Sequence, residues 1–164
     1  MIDWLLTSEI VRNWTIAGSA ILAVGTFFLS IKEKREANKI SRYKAYVRLE
    51  DNFNQDKEFQ KFVDLLDEDG EELKSMSTAS KYRYMGFVEE VAIAVQNELI
   101  SKNLAFYMFG YYAIRARESD NFSSLDNGSI EYRSLYWNVF NSFVNDMKEL
   151  EEKIDNTKPL KVSV

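Results

Sequence analysis

The sequence predicts an all-α protein with one N-terminal transmembrane helix continuing into a stalk, followed by a compact bundle of about four helices. Three observations carry this expectation. Among 164 residues there is one proline, Pro159, and only six glycines, so few positions break a helix. The run from Trp14 to Ile31, WTIAGSAILAVGTFFLSI, has 18 consecutive residues without a formal charge. Beyond it, apolar residues recur at three- and four-residue spacing in several separate stretches.

Composition narrows the classes of function. With 46% hydrophobic and 14% aromatic residues, the chain can build a packed core, and its length suits one domain of ordinary size. It contains no cysteine and no histidine. Disulfides and thiolate metal sites are therefore excluded, and the commonest general base and metal ligand near neutral pH is missing. No enzymatic activity, cofactor or metal is expected.

The net charge of −5 is unevenly distributed. Residues before 32 balance to −1, those from 32 to 48 to +5, and the remainder to −9. An acidic body argues against nucleic acid as a partner, because neutralising phosphates needs a positive face.

As a helix rising 1.5 Å per residue, the 14–31 run would measure about 27 Å, close to the hydrocarbon thickness of a bilayer. A cleaved signal peptide fits less well. The start MIDWLLTSEI is acidic, and no small-residue cleavage pattern precedes KEKRE. A buried helix of a soluble domain would show a polar stripe, whereas only Thr15, Ser19, Thr26 and Ser30 interrupt the run. Lys32, Lys34, Arg35, Lys39, Arg42, Lys44 and Arg48 follow it, against Arg12 alone on the other side. This asymmetry orients the chain as a single-pass protein of the cytoplasmic membrane, N-terminus outside and C-terminal domain in the cytoplasm. Lys32, Lys34, Arg35, Lys39 and Arg42 are expected to form a collar facing lipid head groups, each contributing about 1 kcal/mol near an anionic leaflet. Trp4 and Trp14 suit the outer interface. Ser19 with Ala23, and Gly18 with Gly25, place small residues on common faces where another span could pack.

These features divide the chain into an N-terminal segment and anchor over 1–31, a basic helical stalk over 32–52, a cytoplasmic bundle over 53–154 and a tail over 155–164. Within the bundle, Phe59, Phe62, Val63 and Leu66 mark a helix at about 56–67. DEDGEELKSMSTAS then reads as a connection with at most one helical turn. Ser77 or Thr78 caps a helix reaching about residue 100, with Tyr84, Phe87, Val88, Val91, Val95 and Leu99 on its apolar face. From Leu104 to Ile114 eleven residues carry no charge. That is too short to span a bilayer, and it predicts a central helix buried on nearly every side. Gly110 within it marks a close helix approach. After a loop turning at DNG, a last helix over 130–154 repeats Tyr136, Phe140, Phe143, Met147, Leu150 and Ile154 at four and three.

Little chemistry stands out. Glu89 and Glu90, with Glu98 further along, form a carboxylate group that either works as acid, base or cation ligand, or simply faces solvent. No phosphate-cradling loop, catalytic-serine turn or metal spacing is present. Sequons at Asn13, Asn121 and Asn127 are read as chance.

The stretch RYMGFVEEVAIAVQNELISKNLAFYMFGYYAIRARE, followed by SLYWNVFNSFVNDMKELEE, resembles a family of small bacterial and phage-borne proteins of unknown function. The resemblance rests on Phe87, Glu89 and Val91, on Phe109 to Tyr112, and on Tyr136 with Trp137. It implies one anchor helix plus a compact helical domain and brings no catalytic residues. The expected function is a membrane-tethered protein-interaction module, linked through the resemblance to phage or defence. Its expected partners are the lipid bilayer and an unidentified protein or a second copy of itself. The alternative is an oligomerising effector that forms a pore or lesion.

Overall fold

The computed structural model describes residues 2–125, 128–132, 135–154, 160 and 162, with side-chain surroundings described from Gly25 onward. The chain divides into two compact units, Met1–Ile40 and Ser41–Val164.

The first unit belongs to helix α1, Ile2–Gln55, which runs without a break through residues 32–50. Phe27, Phe28 and Leu29 are each more than 60% exposed, and the rings of Phe27 and Phe28 meet edge to face at 6.2 Å. Most of the 14–31 run, including Trp14, Gly18, Ser19 and Ala23, lies outside the residues whose side chains are described. Among the described residues no helix is long and apolar enough to cross a membrane. Gly25 is described, and a Cβ there would meet nothing within 4 Å.

The second unit begins at Ser41, inside the stretch read from sequence as stalk. The reason is visible in the spacing of Tyr46, Leu49 and Phe53. Leu49 is fully buried and Phe53 nearly so, with Tyr46 packed against the same core. The end of α1 therefore serves as the first helix of the bundle. Asp56 stops α1 and starts α2, Lys57–Glu68, by accepting from the backbone N–H of Glu58 at 2.9 Å and of Phe59 at 3.3 Å. The predicted Phe59, Phe62 and Leu66 are buried. One turn, α3 over Glu72–Ser75, leads to α4, Thr78–Gln96, whose N-cap is Ser77. Its predicted face is buried from Tyr84 to Val91, but Lys81, Met85, Ala92 and Ala94 are buried too. The helix is thus covered on several sides rather than along one stripe.

The aromatic segment is helical, though not uniformly so. Ser101 caps α5, Lys102–Ala105; a π-helical turn spans Phe106–Gly110; and α6 covers Tyr111–Glu118. Sequence periodicity does not reveal the π-turn, which adds a residue to the local repeat. The expectation of burial on nearly every side is corrected here, because Tyr107 is 70% exposed and Tyr111 is also exposed. Tyrosine allows this, since its hydroxyl satisfies itself in water while the ring lies along the surface. Gly110 does mark a close approach: a Cβ there would lie 3.0 Å from Phe106 Cδ2 and 3.1 Å from Met147 Sδ.

Two further corrections concern the C-terminal part. After α7, Asp120–Ser123, the loop forms a small antiparallel hairpin of β1, Ser124–Leu125, and β2, Gly128–Ser129, with Leu125 opposite Gly128. The fold is mostly helical rather than purely so. Gly128 supplies the positive φ of 139° that the turn requires. The last helix, α8, is Asn138–Lys153, preceded by a 3₁₀ turn over Leu135–Trp137. Its start lies well after residue 130, so Tyr136 falls off the helical register and is exposed, while Phe140, Phe143, Val144 and Met147 are buried.

The core is built from ring contacts. Phe53 of α1 lies 5.6 Å from Phe87, 5.4 Å from Phe109 and 6.4 Å from Phe59, centroid to centroid. A second group joins Phe62, Tyr84 and Phe122 at 5.3–5.8 Å. Each such pair is worth about 0.5–1.5 kcal/mol beyond area burial.

Past the end of α4, Glu98 adopts φ 56°, and the N–H of Leu99 bonds back to the Ala94 carbonyl at 2.9 Å. This is the position where helices favour glycine. Glu98→Gly is expected to raise unfolding free energy by about 1 kcal/mol in denaturant titration; an unchanged or lowered value would show that the side chain stabilises the turn.

Candidate functional site

The three carboxylates singled out in the sequence part company in the structure. Glu89 turns toward α8, where its Oε1 accepts from the backbone N–H of Phe140 at 3.1 Å. Trp137, the N-cap residue of α8, makes no side-chain cap, so Glu89 supplies one from another helix and places negative charge at that N-terminus. Glu90 instead pairs with Arg48 Nη2 at 2.7 Å. Glu98 sits beyond α4 in the left-handed turn. No group of three potential metal ligands is found among the described residues. Of the sequons, Asn121 uses its side chain to donate to the Asp69 carbonyl at 2.5 Å, while the side chain of Asn13 and residue 127 lie outside the described set.

The collar residues Lys32, Lys34, Arg35 and Lys39 are exposed, and Lys39 lies 3.4 Å from Glu36. Arg42 differs, being half-buried with an Nε that is enclosed and has no hydrogen-bond partner among the described residues. Its guanidinium is therefore not simply a solvent-facing cation, since Arg42 stands at the start of the second unit.

Two open grooves meet within the second unit. One, of about 490 Å³, has Phe59, Phe87 and Gly86 in its lining, with Asp56, Arg83 and Glu90 as its charged groups. The other, of about 450 Å³, follows the exposed face of α1 past Tyr43, Lys44, Val47, Arg48 and Asp51. Asn52 and Gln55 line both. Arg83 reaches Asp56 at 3.0 Å and Glu58 at 2.7 Å, and its guanidinium carbon lies 5.5 Å from the Phe59 ring centroid. Such exposed pairs set orientation more than stability.

A polar network fixes the α7–hairpin region. Lys81 is fully buried and donates to the carbonyls of Asn121 and Ser124. Ser119 caps α7 through the N–H of Phe122 at 2.8 Å and also donates to the Asp69 carboxylate. Burial pushes the Tyr84 and Tyr132 hydroxyls well above the ordinary tyrosine range. Tyr132 donates to the Ala116 carbonyl at 3.1 Å. Burial, and then the hydrogen bond to Glu50, likewise raises Tyr46. These phenols stay protonated and serve packing.

Sequence reasoning missed Arg48, Gln55, Gly86 and Arg83 as members of one surface. Arg48 and Glu90 are 42 positions apart, and no local spacing announces such a pair. Gly86, standing inside an otherwise strong helical pattern, was the available signal. The arrangement offers recognition surfaces.

The matched family model is described as a domain of unknown function, DUF4760, and covers residues 13–119. The match takes in more than half of the chain, from within α1 to the end of α6, and the protein belongs to this family. No curated protein and no solved structure matches it.

If Glu89 is a helix cap and Glu90 a surface ion-pair partner, their removal should differ in effect. Glu89→Ala should lower stability by about 1 kcal/mol and Glu90→Ala by no more than about 0.5 kcal/mol, measured by urea unfolding. The reverse order would show that the assignment is wrong.

Proposed function

We propose that the protein is a membrane-tethered helical interaction module on the inner face of a bacterial membrane, acting on another protein in a phage- or defence-related process. The observation that carries the tether is the exposure of Phe27, Phe28 and Leu29 on consecutive positions of α1, directly before the exposed Lys32, Lys34 and Arg35. In water, three adjacent large apolar side chains more than 60% exposed are unfavourable; at the edge of a hydrocarbon layer they are at home. Trp14–Ile31 is the segment that would cross, with Lys32, Lys34, Arg35 and Lys39 at the anionic leaflet. The acidic body, at −9 from residue 49 onward, disfavours nucleic acid and suits a protein partner. The phage or defence context rests on the family resemblance alone.

A second reading, an oligomerising effector that opens a pore, draws on Gly18, Ser19, Ala23 and Gly25 as packing positions in the span. The two are separated by gently solubilising membranes that hold the tagged chain, isolating it, and identifying and sizing what accompanies it. A distinct partner at fixed ratio, with membrane potential intact on induction, is expected. A homo-oligomer without partner and a collapsed potential would replace the tether with the pore.

A further inference from the structure

We draw no further inference here: the strongest candidate, the apolar surface patch at the 3₁₀ turn before α8 where Leu135 and Tyr136 stand exposed beside Trp137, is an unpartnered face, and nothing in the structure shows what covers it.

Discussion

The ring of Phe53 is the contact on which the bundle depends. It comes from the last turn of α1 and meets Phe59 of α2, Phe87 of α4 and Phe109 of the π-turn. With the fully buried Leu49 it makes the end of the N-terminal helix a structural part of the compact unit. Removing an aromatic side chain from such a position typically costs about 3–5 kcal/mol, a large share of the stability of an ordinary domain. The grooves follow from the same constraint, because seating Leu49 and Phe53 inward leaves Lys44, Asp51, Asn52 and Gln55 facing out.

Polar interactions supply what the aromatic core lacks, namely unique placement of short elements. Three of these elements, α3, α5 and α7, are four residues long and would not persist alone. Lys81 ties the carbonyls of Asn121 and Ser124 to α4, and Ser119 and Asn121 tie α7 to Asp69 past the end of α2. Burying a lysine is favourable only when its donors are met, so this cluster specifies one arrangement of the α7–hairpin region. Glu89 does the same for α8 by capping it from across the bundle.

The sequence made the long regular elements legible and hid the irregular ones. Periodicity located α2 to within a residue or two, and the cap of α4 was narrowed to Ser77 or Thr78, of which Ser77 is the cap, because both signals are local. The Phe106–Gly110 π-turn, the hairpin and the 3₁₀ entry to α8 were missed, since each departs from the 3.6-residue repeat on which the reading relied. Tyr136 shows the cost of extending a repeat too far: it fits the seam by spacing and is 87% exposed. For the candidate surface, Phe59 and Phe87 were legible as apolar-face positions and Glu90 as one of a carboxylate pair, while Gly86 stood out inside a helical pattern. The Arg48–Glu90 and Arg83–Asp56 pairs arise from tertiary packing and could not be read from spacing.

The claim that most needs direct measurement is the topology, and the chain is well suited to it because it contains no cysteine. A single cysteine can be introduced at Ser8→Cys, before the proposed span, or at Ser129→Cys, on the exposed strand of the hairpin. Each is then challenged in intact spheroplasts with a membrane-impermeant maleimide. A tethered module with its N-terminus outside predicts labelling of Ser8→Cys at once and of Ser129→Cys only after lysis. Protection of both until lysis, or recovery of the unlabelled chain in the soluble fraction, would contradict the account.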